Sequence, residues 1–99
     1  MKACIIGLGV FGRSLALTLA ELGVEVVALD LSETLVAAIK DEVSVAAVAD
    51  ASNPEALAMF PMAEMDVVVV GIGQDFEASL QATAHAQELG AKRVITRVL

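Results

Sequence analysis

ACIIGLGVFGRSLALTLAELG, residues 3–23, sets a run of small apolar residues directly before three glycines at GxGxxG spacing and a leucine-rich stretch directly after them. Ala3 to Ile6 is short, apolar and bounded by Gly7, the pattern of a strand buried on both faces of a parallel sheet. From Phe11 onward Leu15, Leu19 and Leu22 recur at helical spacing, and Gly23 stands where a helix is commonly ended by a left-handed residue. Strand, glycine turn and helix in that order begin a βαβ unit whose turn is suited to an anion at the helix N-terminus. Gly7 would allow the turn off the strand, Gly9 the close approach of backbone to a pyrophosphate, and Gly12 the packing of helix on sheet.

The same alternation continues along the chain. Glu25 to Leu29 reads as a second strand closed by Asp30, and Ser32 as the cap of a helix carrying Leu35, Val36 and Ile39. Ser44 to Ala49 gives a third strand. SNPE at 52–55 offers a helix start, with Pro54 in the first turn and Glu55 three residues after Ser52; Met59, Phe60 and Met62 then cover the core. Val67 to Val70 is a β-branched central strand, and GIGQD breaks it. Asp75 to Leu89 is a helix ended by Gly90 in a second ELG, and Arg93 to Val98 a fifth strand. Right-handed crossovers on this pattern predict an α/β fold: a three-layer, Rossmann-like, doubly wound parallel sheet of order 3-2-1-4-5 in a single domain over residues 1–99.

Composition narrows the function classes. Ninety-nine residues hold one domain and leave no room for a separate catalytic half. Although 58% of the chain is hydrophobic, unbroken runs such as Val67 to Val70 are far shorter than the roughly 18 residues of a membrane span. Thirteen acidic against six basic residues give a net charge of -7, which repels phosphate backbones and anionic lipid; neither nucleic acid nor direct membrane insertion is expected. Cys4 has no partner for an internal disulfide, which fits a reducing, cytoplasmic compartment. Met1 leads straight into the first strand with no signal-peptide pattern. The terminal VITRVL is apolar and strand-like, and suggests a truncated lobe with further partners downstream.

Asp30 lies 18 residues after Gly12 at the end of strand two, where an acid accepts hydrogen bonds from both ribose hydroxyls and repels a 2'-phosphate. NAD(H) or an adenine mononucleotide is therefore favoured over NADP. The plainer alternative is a glycine turn kept for packing and an aspartate opening a loop. Two further loops, DAS at 50–52 and GIG at 71–73, project from the same carboxyl edge.

Through IIGLGVFGRSLA, VVALD, VADAS, MDVVVVGIGQDFEAS and ELGAKRVITR the chain resembles, over its whole length, the regulator-of-potassium-conductance (RCK) nucleotide-binding domain, the TrkA-N type, of Trk and Ktr potassium-uptake regulators. The parts that distinguish it from dehydrogenases are DAS and GIGQDFEAS. The resemblance implies a nucleotide site made of Gly7, Leu8, Gly9, Val10, Phe11 and Gly12 in the first loop, with Asp30 and Leu31 after strand two. It adds Asp50 and Ala51 at the base, Ile72 and Gly73 at the inner ribose or phosphates, and Arg97 reaching the phosphates. It implies a non-enzymatic cytoplasmic sensor at the inner face of the membrane. Its partners would be a membrane-embedded potassium channel or transporter subunit and further copies of itself, in a dimer or larger ring. One residue departs from the pattern: members that favour ATP commonly carry Arg where this chain has Val10. NAD(H) is thus the first expected ligand, ADP or ATP the alternatives, and Arg13 a partial substitute for the missing cation.

The other candidates have plain readings. Arg97 could equally be a solvated residue at a strand end. His85 has no second ligand at metal spacing, Asp75 and Glu77 suit a helix first turn, and Ser14 has no base beside it. Leu80, Ala84 and Ala86 could give helix four an apolar contact face or simply pack it on the sheet. The second function considered is the cofactor half of an NAD-dependent dehydrogenase, against which stand the lack of an acid-base set and of a substrate domain.

Overall fold

Val67–Val70 and Lys2–Ile6 run side by side at the centre of the sheet, Ala3 opposite Val67 and Ile6 opposite Val70. Both strands are flanked on either side, so nearly every side chain is buried, which is why their sequences are continuous apolar runs rather than alternating ones. The computed structural model describes residues 1–73 and 75–97. Its elements are β1 (Lys2–Ile6), α1 (Val10–Glu21), β2 (Glu25–Asp30), α2 (Glu33–Ile39), β3 (Val45–Val48), α3 (Pro54–Leu57), a 3₁₀ turn (Met62–Glu64), β4 (Val67–Val70), α4 (Phe76–Glu88) and β5 (Val94–Thr96). The five strands are parallel in the order β3-β2-β1-β4-β5, as the crossovers predict. The expected end of the fifth strand, Val98, lies outside the described residues.

Successive side chains on a strand point to opposite faces, and two cores result. Cys4, Ile6, Val68 and Val70 pack with Leu57, Met62, Met65, Ala82 and Ala86 beneath α3 and α4. Ile5, Val26, Ala28 and Val69 pack on the other face with Leu8, Ala16, Val36 and Ile39 from α1 and α2. Burial pushes the Cys4 thiol up to about 12, so it behaves as a small hydrophobe. Among the described residues no helix is long and apolar enough to cross a membrane.

Four expectations shift. Leu22 is 74% exposed, because α1 closes at Glu21 and the face it presents to the sheet is Gly12 and Ala16, with Leu15 and Leu19 beside them. Met59 is 83% exposed, since α3 ends at Leu57 and the chain turns before the 3₁₀ segment returns Met62 to the core. The cap of α3 is Asn53, whose Oδ1 accepts from the Glu55 N–H at 3.0 Å. Ser52 is drawn away from that role because its N–H and Oγ both donate to Asp50 Oδ1. On α4, Ala86 lies in the core while Leu80 is 52% exposed and Ala84 is exposed too, so the three residues read together as one contact face divide between core and surface.

Glycine is required at two places in the first loop. Gly7 has φ +99°, and a Cβ there would lie 2.6 Å from the Gly71 carbonyl oxygen. At Gly12 a Cβ would lie 1.7 Å from the Gly7 carbonyl oxygen, which is backbone and cannot yield. At the opposite, amino edge, Asp66 Oδ2 accepts from the Lys2 N–H at 2.8 Å while the Asp66 N–H donates to the Lys2 carbonyl at 2.9 Å. That Lys2 N–H holds the Asp66 carboxyl below its ordinary value of 3.8, with nearby Lys92 adding to the effect.

Gly12→Ala should destabilise the chain by about 3 kcal/mol or more, measured by urea unfolding, because helix and strand must separate to admit the methyl group. A carboxyl depressed in the folded state stabilises above its unfolded value and loses that contribution as the pH falls through the folded value. Asp66→Asn should therefore flatten the fall in melting temperature as the pH drops below 3.8; an acid limb as steep as the parent's would show that Asp66 has no part in it.

Candidate functional site

The chain leaves β1 through Gly7, whose N–H donates to the Leu29 carbonyl at 2.8 Å, while the Gly71 N–H donates to the Ile6 carbonyl at 2.8 Å. These bonds draw the loops after β1, β2 and β4 together at the carboxyl edge of the sheet. Leu8 turns inward and is 1% exposed, and its N–H donates to Asp30 Oδ2 at 2.7 Å. The other oxygen, Asp30 Oδ1, accepts from the Ser32 N–H at 2.8 Å, and Ser32 Oγ caps α2 by accepting from the Leu35 N–H. One carboxylate thus holds the glycine loop and the start of the second crossover at once.

Gly9 is the N-cap of α1, which has no side chain capping its N-terminus and no acid in its first turn. Its leading N–H groups and the positive end of its dipole are open to the edge. Gly9 differs from the other two loop glycines: its backbone is extended, and a Cβ built there meets nothing within 4 Å. Neither conformation nor protein packing requires glycine at this position.

Between the loops lies a cavity of about 640 Å³. Of the residues expected from the sequence, Gly7, Gly9, Val10, Phe11, Asp30, Leu31, Asp50, Ala51, Ile72, Gly73 and Arg97 line it. Leu8 and Gly12 do not; one is core and the other packs α1 against the Gly7 carbonyl. Leu35, Ser52, Asp75 and Ala78 also line the cavity and were not expected there. Asp75 is the N-cap of α4, its Oδ1 accepting from the Ala78 N–H at 2.9 Å, and an acid just ahead of a helix at a strand's carboxyl end was the signal for it. Leu35 and Ala78 belong to helix first turns that overhang the edge, a placement only the packing of α2 and α4 reveals.

Among the described lining residues Arg97 is the one cation, facing the acids Asp30, Asp50 and Asp75. Its N–H donates to the Val70 carbonyl at 2.8 Å, extending the ladder beyond β5, and its guanidinium carbon rests 4.5 Å from the centre of the Phe11 ring. The ring in turn lies against the Gly71 backbone, where a Cβ would sit 3.2 Å from Phe11 Cδ2. Val10 is 89% exposed on the rim. Arg13 is exposed and does not line the cavity, so the side chain expected to replace a loop arginine is turned elsewhere by the helical register.

Residues 3–99 match the model of the TrkA-N domain, and the chain belongs to that family. It is 38% identical over 90 residues to Ktr system potassium uptake protein A of Vibrio alginolyticus, covering 91% of this chain and 41% of that protein. It is 34% identical over 93 residues to Ktr system potassium uptake protein C of Bacillus subtilis, covering 94% and 42%. The chain therefore spans about two fifths of the length of these relatives. Among solved structures, the NAD(P)-binding domain of an exopolyphosphatase-related protein from Archaeoglobus fulgidus superposes with a TM-score of 0.75 at 21% identity, over 95% of this chain and 86% of that one. The TrkA-N domain of the inner membrane protein ybaL from Escherichia coli gives 0.71 at 19%, over 96% and 86%. A hydroxysteroid dehydrogenase from Escherichia coli gives 0.72 at 19%, over 90% of this chain and 48% of that one; these likenesses are of fold.

Asp30→Ala removes the acceptor for two backbone N–H groups and should destabilise the chain by about 1–3 kcal/mol with no nucleotide present. Urea unfolding reads this directly, and an unchanged midpoint would show that the carboxylate does not hold the two loops.

Proposed function

We propose that this chain is a nucleotide-sensing regulatory domain, without catalysis of its own, that controls a potassium channel or transporter through a change of arrangement shared between subunits. Gly9 carries the proposal: bare backbone at the N-terminus of α1, with no reason inside the protein for the missing side chain, suits the close approach of a pyrophosphate. NAD(H) is the first ligand, with ADP or ATP the alternatives. Its chemistry there is that of an anion with an adenosine arm.

Each residue's role follows from its chemistry. The first N–H groups of α1 and the Arg97 guanidinium take the phosphates, and Arg97 can exchange its stack on Phe11 for a charge-assisted hydrogen bond. Each Asp30 oxygen accepts one backbone N–H and keeps a second lone pair for a ribose hydroxyl, while its charge disfavours the 2'-phosphate of NADP. Asp50 and Ala51 border the base, Ile72 and Gly73 the inner ribose. Val10 supplies no charge for a terminal phosphate, which favours NAD(H) or a diphosphate over ATP. A ligand spanning these loops ties the ends of β1, β2, β4 and β5 together, and this is the means by which it favours one arrangement over another. The potassium-uptake relatives support a membrane-embedded partner; on this reading the chain works at the inner face of the membrane, as a homodimer or larger ring.

Calorimetric titration with NAD, NADH, ADP, ATP and NADP should give binding by NAD(H) and ADP, with NADP at least about tenfold weaker than NAD; heat from none of the five would overturn the nucleotide reading. Gly9→Ala should leave the unfolding midpoint unchanged and weaken NADH about tenfold, the methyl group standing where the pyrophosphate approaches.

A further inference from the structure

The side walls of the cavity belong to different elements: the Asp50–Ser52 turn after β3 on one side, and Asp75 with Ala78 at the start of α4 on the other. Two helical turns beyond Ala78 the imidazole of His85 reaches back to that turn, its Nε2 3.1 Å from the Ser52 carbonyl oxygen. A carbonyl only accepts, so Nε2 carries the proton. The other ring nitrogen, Nδ1, is buried with no hydrogen-bond partner among the described residues. The ring therefore has one polar contact, and that contact is to the wall of the cavity.

The turn is stiff within itself. The Ser52 N–H and Oγ both donate to Asp50 Oδ1, at 3.0 and 2.6 Å, the Asn53 N–H donates to the Asp50 carbonyl at 3.0 Å, and Ala51 is 5% exposed. Held this way it moves as a unit, and the Ser52 carbonyl is the point at which α4 grips it. Packing alone does not call for histidine at position 85. The residues of α4 that meet the sheet are small, Ser79, Ala82 and Ala86, and an apolar side chain at 85 would fill its half-buried place without an orphaned nitrogen. We infer that His85 is a positioning residue: through Ser52 it fixes the Asp50–Ser52 turn relative to the first turn of α4, and so sets the width of the adenosine end of the cavity. The inference rests on the nucleotide reading above and names a residue that reading leaves out.

The test compares the chain with His85→Leu, which keeps volume without a donor, and His85→Gln, whose side-chain amide offers an N–H at similar reach. NADH and ADP are titrated calorimetrically, melting curves establish that each variant is folded, and long-range proton–nitrogen NMR spectra of the unsubstituted chain report the tautomer. The expected results are protonated Nε2, a loss of about fivefold in affinity for both nucleotides in His85→Leu, and recovery to within about twofold in His85→Gln. A spectrum showing the proton on Nδ1, or parent-like affinity in a folded His85→Leu, overturns the inference while nucleotide binding by the parent stands. Failure of the parent to bind either nucleotide overturns the nucleotide reading, and this inference with it.

Discussion

The Gly7 carbonyl oxygen occupies the place where any side chain on residue 12 would begin. This contact presses α1 against the end of β1. With the helix held there, its N-terminus cannot tilt away from the carboxyl edge, and Gly9, Val10 and Phe11 become the rim of a cavity. Gly7 is held from the far side by the Gly71 backbone, so the first and fourth loops are also in contact. The close packing of interiors leaves such a joint no intermediate setting: the three elements meet at this distance or the edge does not form.

Asp30 fastens the second pair of loops, and it changes how acids in this position are understood. An aspartate at the end of the second strand is usually read for the ribose it would meet. Here its oxygens first accept from Leu8 and Ser32, so the same carboxylate that would recognise a ligand also holds the loop shaped for it. Loss of affinity on its removal would thus combine a lost contact with a loosened site. Arg97 likewise has a partner in Phe11, which steadies the one cation among the described lining residues of the cavity.

A hydroxysteroid dehydrogenase superposes well at low identity, a likeness of fold alone. The TrkA-N domain match covers residues 3–99, so the family is shown by the whole chain and not by the sheet alone. A fold shared this widely does not fix function, which has to be argued from the site.

Much of the fold was legible in the sequence, for a physical reason. Strands buried on both faces must be apolar throughout, helices between them must present one face, and right-handed crossovers leave few topologies; hence β1, β4 and the order of all five strands followed from pattern. Most of the loop residues expected at the site line the cavity for the same cause, since open sheets gather their loops at the carboxyl edge. What pattern could not supply were the particular partners that polar groups take and the residues at which helices stop. The competition between Ser52 and Asn53 for the cap of α3 was decided by Asp50, the inward turn of Leu8 by the reach of Asp30, and the exposure of Leu22 and Met59 by where their helices stop. His85, read from sequence as an isolated residue on a helix, found Ser52 only when α4 was laid across the sheet. Local chemistry determined which elements this chain makes and in what order; the assembled core alone decided which polar groups meet across them, because those distances depend on how closely the layers pack.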